Sequence, residues 1–149
     1  MKTTLENIRY NKNHHYKLLL ENISKYIYRE KRYKIHFSLV MICHQEDFEI
    51  DFNKLTNELR ESDTLMKIND QLSCLILDNT SIENYVKAAE NLTKTLQKLY
   101  FKQHFYISTI SSQEINHNYL EMSNKLFERL EYSIKNKQYN NVIYQDYII

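Results

Sequence analysis

The stretch that decides the fold runs from Arg60 to Ser81 and reads RESDTLMKINDQLSCLILDNTS. Its first residues are charged, as at the end of a helix, and apolar runs lie on both sides of Asn69 and Asp70. A short polar turn between two apolar runs is typical of a β-hairpin. The sequence therefore predicts two antiparallel strands with Asn69 and Asp70 at the tip that joins them.

Composition argues against several classes of protein. The chain has 149 residues and a formal net charge of +1, which suits one domain and gives no electrostatic case for a nucleic acid or a membrane surface. No apolar run reaches the length of a membrane span and there is no leader sequence, so we expect a cytoplasmic protein. Without glycine, phosphate-cradling P-loop and Rossmann sites are excluded, and positive-φ turns fall to Asn or Asp.

The rest of the chain predicts alternating helices and strands. Residues 1–12 predict an N-terminal arm and residues 13–149 a single domain. Hydrophobic periodicity predicts, in order, helix 14–34, strand 37–43, a short helix capped by Asp51, the hairpin, helix 82–100, half-buried strand 104–111, helix 118–137 and strand 142–144. The unbroken apolar run 37–43 predicts a central strand that is covered on both faces. This order suits an α+β fold in which helices back one face of a central antiparallel sheet.

The hairpin resembles the central hairpin of the GGDEF, or diguanylate cyclase, family, which typically reads RxSDxxxRxGGDEFxxLLPxTS. Aligned without gaps, Arg60 and Asp63 fall on the family's RxxD inhibitory-site motif, and residues 78–81 fall on its PxTS. The five signature positions are occupied by Asn69, Asp70, Gln71, Leu72 and Ser73. The flanks agree with the family while the signature does not, so the resemblance indicates a degenerate GGDEF-like domain.

The resemblance covers about residues 13 to 144. The segment 13–16 resembles the family's entry into its first helix, and Lys135, Asn140 and Val142 resemble the ending of its last helix. The resemblance implies the ferredoxin-like palm of nucleotide cyclases, with strands in the order 4-1-3-2. It also implies a shortened first crossover, which lacks a family helix that helps to hold substrate.

Loss of catalysis is a further implication of the resemblance. Family members hold magnesium through acidic residues at the end of the first strand and in the signature turn, because hard cations need oxygen ligands. Here these regions carry a thiol, amides and an alkyl group at Cys43, Gln45, Gln71 and Leu72. We therefore predict no enzyme activity, no metal and no cofactor. The alternative is a shifted metal site built from Asp70, Glu46 or Asp47.

Two functions remain after catalysis is set aside. The first is a regulatory protein-interaction module in bacterial signalling, acting on a protein partner or as a homodimer. The second is a cyclic di-GMP receptor, because the family's RxxD pair binds this ligand and Arg60 and Asp63 lie at its positions. A guanidinium can fork onto guanine or phosphate and a carboxylate can accept guanine N–H groups. A simple ion pair within one helical turn is the alternative explanation.

The other reactive or charged groups favour structural roles. Cys43 and Cys74 fall on neighbouring strands of the implied fold, where we expect buried small hydrophobes or, alternatively, a redox-sensing or soft-metal-binding pair. The pair His14-His15 and His44 lack metal-ligand spacing, which favours surface or capping roles. The charged cluster at residues 25–32 favours a solvated helix end over a binding patch.

Overall fold

The computed structural model describes residues 4–45, 48–116 and 118–147. The described chain contains five α-helices and five strands, with one short 3-10 turn after the fourth strand. The elements are α1 (Thr4–Tyr10), α2 (Lys12–Tyr33), β1 (Ser38–Cys43), α3 (Phe52–Thr56), β2 (Thr64–Lys67), β3 (Leu72–Leu77), α4 (Tyr85–Leu99), β4 (Tyr106–Ser111), α5 (Tyr119–Lys135) and β5 (Val142–Ile143).

The strands form one sheet in the order β2-β3-β1-β4-β5. Its first four strands have the predicted order 4-1-3-2, and they pair antiparallel. The prediction of a purely antiparallel sheet is wrong for β5, which pairs parallel with β4. The chain leaves β4, passes through α5 and returns in the same direction, and such a crossover places its second strand parallel to its first.

Helices cover both faces of the sheet, so the prediction of helices on one face is wrong. On one face, α1, α2 and α5 pack against a core that includes Leu39 and Met41. On the other face, α3 and α4 pack against a core that includes Val40 and Ile42. Successive side chains of a strand point to opposite faces, so an unbroken apolar strand such as β1 needs cover on both sides.

Strand β4 is also covered on both faces, which corrects its prediction as a half-buried strand. Ile107 packs in the core beneath α4, and Ile110 packs in the core beneath α2 and α5. The polar residues between them misled the prediction. Ser108 donates to the Leu126 carbonyl and Thr109 to the Leu39 carbonyl, so both hydroxyls are buried with a partner.

Five residues have positive φ in the described chain. Three are asparagines, as the glycine-free composition predicts, but Lys34 at 56° and Lys137 at 51° are lysines. Lys34 ends α2, and its N–H bonds the Glu30 carbonyl at 2.9 Å. Lys137 lies just past α5. Left-handed residues commonly close helices in this way, and without glycine a lysine takes the conformation at both ends.

The described part of the connection between β1 and β2 contains the one short helix that was predicted there. Its described helix, α3, has five residues, and the Asp51 carboxylate caps it by accepting from the N–H groups of Asn53 and Lys54. Glu46 and Asp47, predicted as alternative ligands of a shifted metal site, lie outside the described residues.

Candidate functional site

Strands β2 and β3 form the predicted hairpin, and Asn69 and Asp70 lie at its tip. The N–H of Ile68 donates to the Leu72 carbonyl at 2.8 Å, which closes the turn. The Asn69 side-chain oxygen accepts from the N–H of Gln71 at 2.8 Å. Asparagine favours such local turns because its side chain imitates a backbone carbonyl.

The tip is fastened to other parts of the chain. The Gln71 amide donates to the Thr4 hydroxyl of α1 at 3.1 Å and to the His44 carbonyl at 3.3 Å. The Asn69 amide lies 3.3 Å from His15 Nε2 on α2. Leu72 is buried in the core. Three of the five signature positions, Gln71, Leu72 and Ser73, are thus occupied by buried residues.

Asp70 is the exposed residue of the tip. Its carboxylate lies 3.4 Å from Lys67 Nζ, and both side chains face solvent. Beside the tip is a cavity of about 160 Å³, lined by His44, Glu49, Ile50, Phe52, Lys67, Asn69, Asp70 and Ser73. Pockets for drug-sized ligands have volumes of roughly 300–1,000 Å³, so this cavity is small for a nucleotide.

Two of the histidines are buried, which corrects their predicted surface or capping roles. His15 stacks on Phe127 with ring centroids 6.0 Å apart, and burial, followed by the nearby His14, lowers its pKa. Burial also lowers the pKa of His44, whose Nδ1 contacts the Gln45 carbonyl at 2.8 Å. Both rings pack as neutral imidazoles beneath the hairpin tip. His14 is exposed.

The two cysteines are free and buried on the same face of the sheet. Cys43 pairs with Leu72 and Cys74 with Met41, so the thiols are diagonal neighbours on adjacent strands. Burial raises the pKa of each thiol to about 12. Neither thiol is therefore ionised near neutral pH, and thiolate is the form that reacts or binds metal.

Arg60 and Asp63 form a bidentate ion pair. Arg60 Nε and Nη2 donate to the two carboxylate oxygens of Asp63 at 3.2 and 2.9 Å. Nη2 also contacts the Asp78 carbonyl at 2.8 Å and the Thr80 hydroxyl at 3.1 Å. The Asp63 side chain is 4% exposed and that of Arg60 is 55% exposed. The bond to Asp63 raises the pKa of Arg60, which stays charged.

A groove of about 450 Å³ lies beside Arg60, between the loop before β2 and helix α4. Leucines form its floor and amides its rim, at Leu59, Leu75, Leu77, Leu92, Asn79, Asn84 and Asn91. A second arginine stands nearby, because Arg29 Nη1 bonds the Asp78 carboxylate at 2.7 Å. Sequence reasoning missed Arg29, since nothing in the spacing of residues 29 and 78 indicates that α2 and the end of β3 meet.

Glu30 is a second residue whose position the sequence did not indicate. The charged cluster at residues 25–32 predicts a solvated helix end, but Glu30 is 3% exposed. Its carboxylate accepts from the hydroxyls of Ser112 and Tyr119 and lies 3.1 Å from His36 Nδ1. The last turn of α2 reaches the start of β1 and the end of β4, so one face of this charged cluster is interior.

Among the described residues, no three His, Cys, Asp or Glu side chains lie close enough together to hold a metal ion. None of the described helices combines the length and the apolarity that a bilayer crossing requires. The hairpin tip and the Arg60 groove contain the predicted site residues.

No protein-family model and no curated protein matches the sequence. Solved structures do match. The GGDEF domain of YfiN (TpbB) from Pseudomonas aeruginosa has a TM-score of 0.70 at 12% identity, over 89% of this chain and 96% of that one. The diguanylate cyclase SiaD from the same species, in complex with its activator SiaC, has a TM-score of 0.68 at 15% identity, over 87% and 57%.

A third match is a microbial GGDEF domain that interacts with cyclic di-GMP. It has a TM-score of 0.66 at 9% identity, over 87% of this chain and 92% of that one. The class defined by sheet order, helices and hairpin is the α+β nucleotide-cyclase fold. Within that class, the chain has the fold of GGDEF domains, as the resemblance of the hairpin implied.

Proposed function

We propose that this chain is a catalytically inactive GGDEF-fold module that acts in bacterial signalling by binding a protein partner. The observation that carries the proposal is the hairpin tip. Where the resemblance expects a glycine turn followed by an acidic residue, Asn69 and Asp70 form the turn and Gln71 bonds Thr4 and the His44 carbonyl. A hairpin tip whose side chain bonds other parts of the same chain suits a structural scaffold better than a substrate site.

Among the described residues near the tip, Cys43 and Asp70 do not fit a magnesium ion. Cys43 is buried, and its thiol is protonated near neutral pH. Asp70 is exposed and paired with Lys67. Magnesium requires oxygen ligands in octahedral geometry, and a neutral thiol is a poor ligand for so hard a cation. No catalytic step is therefore assigned to these side chains.

Incubation of the purified protein with GTP and magnesium or manganese tests the proposal. We expect no cyclic di-GMP by chromatography, while an active diguanylate cyclase in parallel forms it. Appreciable product from this chain would overturn the inactive assignment. Sedimentation velocity over a range of protein concentrations tests one particular partner, a second copy of the chain. A monomer at every concentration would remove the homodimer.

The Arg60 groove supports a second candidate, a cyclic di-GMP receptor. Its volume of about 450 Å³ falls in the range of ligand pockets. Arg60 Nη1 has no hydrogen-bond partner among the described residues, so its N–H groups are available. Asp63 has both oxygens bonded to Arg60, so in this candidate it positions the guanidinium and leaves guanine to other groups.

Calorimetric titration with cyclic di-GMP tests the receptor. We expect binding that Arg60→Ala abolishes, while Arg32→Ala, an exposed arginine outside the groove, leaves it unchanged. Asp63→Asn weakens binding less than Arg60→Ala does, because the ligand contacts the arginine directly. Absence of heat, or equal affinity in Arg60→Ala, would remove the receptor and leave the interaction module.

A further inference from the structure

The nearly neutral net charge conceals an uneven distribution of charge. Residues 91–113 contain three lysines and one histidine and no acidic residue, and residues 132–145 contain two lysines and no acidic residue. These two segments precede and include β4 and β5. Because β5 runs parallel to β4, the two strands begin at the same end of the sheet and bring the segments together.

Hydrogen bonds and ring contacts join the two segments. The N–H of Asn140 donates to the Phe105 carbonyl at 2.7 Å, and the Asn140 side-chain oxygen accepts from the N–H of Phe105 at 3.1 Å. The ring of Tyr139 lies 4.4 Å from that of His104 and 5.1 Å from that of Tyr106. The two loops therefore form one continuous surface.

This surface presents apolar rings among cations. Phe101 is 79% exposed, and Lys102 Nζ lies 5.6 Å from the centre of its ring. Tyr139 is 37% exposed, and the lysines of both segments are exposed. We call this surface the basic edge, and its central residues are Lys98, Phe101, Lys102, His104, Lys137 and Tyr139.

Helix-end electrostatics account for part of the basic edge. Lys98 and Lys135 lie in the last turns of α4 and α5, where cations meet the negative end of the helix dipole. Lys102 and Lys137 lie beyond the helices, and the exposed ring of Phe101 has no such explanation. Two acidic residues border the edge: Glu90 lines a pocket with Lys94 and Asn140, and Asp51, which caps α3, donates its N–H to the Tyr100 hydroxyl.

We propose that the basic edge binds an acidic segment of a partner protein. Carboxylates of the segment pair with Lys102 and Lys137, and its apolar side chains pack on Phe101 and Tyr139. Complementary charge of this kind speeds association and selects partners. The inference rests on the proposed function, in which the chain acts through a protein partner, and it names the chemistry of that partner.

The arrangement of the rings favours an acidic peptide over single-stranded nucleic acid. Proteins that bind single strands offer separate aromatic platforms, one for each stacked base. Here His104, Tyr139 and Tyr106 pack against one another, which leaves few free ring faces. The edge also lacks arginine, the residue best suited to forked contacts with phosphate.

Fluorescence anisotropy with the full chain tests the inference. The probes are a labelled repeat peptide rich in glutamate and leucine, the same peptide with glutamine in place of glutamate, and oligo-dT. We expect the acidic peptide to bind, the glutamine peptide not to bind, and salt to weaken binding. Lys102→Gln with Lys137→Gln weakens binding about tenfold, and Phe101→Ala weakens it several-fold at unchanged charge.

The matched control is Lys17→Gln with Lys34→Gln, an exposed pair on and just after α2. It removes the same charge and, like the test pair, includes one lysine at positive φ. We expect the control to bind the acidic peptide as the parent does. Equal weakening by both pairs, tighter binding of oligo-dT than of peptide, or no binding of the acidic peptide would each overturn the inference.

The two proposals fail in different experiments. Synthesis of cyclic di-GMP would overturn the assignment as an inactive module, whether or not the acidic peptide binds. Absence of peptide binding in a chain without synthesis would remove the acidic partner and leave the inactive module in place.

Discussion

At the scale of single residues, Glu30 has a role that its charge conceals. Its buried carboxylate joins the end of α2 to Ser112 after β4 and to Tyr119 at the start of α5. Buried polar groups are stable when they are bonded, and each becomes costly when its partner is removed. Glu30 therefore holds three elements together through hydrogen bonds rather than through apolar contact.

Glu30→Ala tests this role. Removing the carboxylate leaves buried hydroxyls without their acceptor, so we expect the free energy of unfolding to fall by about 2 kcal/mol. Urea denaturation measures the change. Glu21→Ala, on the exposed side of the same helix, serves as the control and changes stability by less than about 0.5 kcal/mol. Equal losses in the two variants would contradict the role.

The buried histidines predict a dependence of stability on pH. Burial lowers the pKa of His15 and His44 below the ordinary value of 6.5, so below pH 6.5 the unfolded chain takes up more protons than the folded chain. Their contribution to stability is complete above that pH and is lost as the pH falls below it. The protein should therefore unfold more easily in mild acid.

Thermal unfolding at about pH 7.5 and about pH 5.5 measures this effect. We expect His15→Gln to reduce the difference in melting temperature between the two conditions, because glutamine does not titrate. The exposed neighbour provides the control, and His14→Gln should keep most of the difference. A difference that is the same in the parent and in His15→Gln would exclude His15 as its source.

At the scale of elements, the ends of α2 and α5 carry lysines in the left-handed conformation. This conformation costs a residue with a Cβ roughly 1–2 kcal/mol, a cost that glycine avoids. Lys34→Gly should therefore raise the free energy of unfolding by about 0.5–1 kcal/mol after the entropy of glycine is counted. Chemical denaturation measures whether the free energy of unfolding rises.

The matched control for this prediction is Lys31→Gly, one turn earlier in the same helix. Glycine inside a helix is unfavourable by about 1 kcal/mol, so the two substitutions should move stability in opposite directions. If Lys34→Gly also lowered stability, the left-handed lysine would not be a strained position.

Local patterns predicted the elements better than their packing. The hairpin followed from apolar runs around Asn69 and Asp70, and the cap of α3 followed from Asp51, because each depends on a few neighbouring residues. The unbroken apolar run of β1 indicated cover on both faces, but the full burial of β4 did not follow, since the polar residues of β4 bury their hydroxyls against distant carbonyls. Such bonds leave no periodic signal in the sequence.

The same contrast applies to the candidate sites. The position of Arg60 and Asp63 beside the hairpin followed from the resemblance, but the bonding of both Asp63 oxygens to Arg60 is a matter of atomic geometry. Arg29 reaches Asp78 across 49 positions of the chain, and Gln71 reaches Thr4 across 67. Tertiary contacts over such separations are not specified by residue type or spacing.

At the scale of the whole molecule, α1 fastens the hairpin tip to the body of the protein. Ile8 is buried in the core, and Thr4 accepts a bond from Gln71. Deleting residues 1–10 should therefore lower stability and speed hydrogen exchange at residues 68–72. Thr4→Val is the narrower variant, which removes the bond and keeps the helix; it should speed exchange at the tip with little loss of global stability. Unchanged exchange in both variants would exclude fastening by α1.

The central place of β1 has a consequence for how the chain folds during synthesis. Its two neighbours, β3 and β4, begin at residues 72 and 106, so one edge of β1 stays open until the second half of the chain has emerged. Unpaired edges of apolar strands attract other chains. Nascent fragments that stop before residue 111 should therefore aggregate and depend on chaperones, whereas chains extending past β4 should emerge with that edge closed.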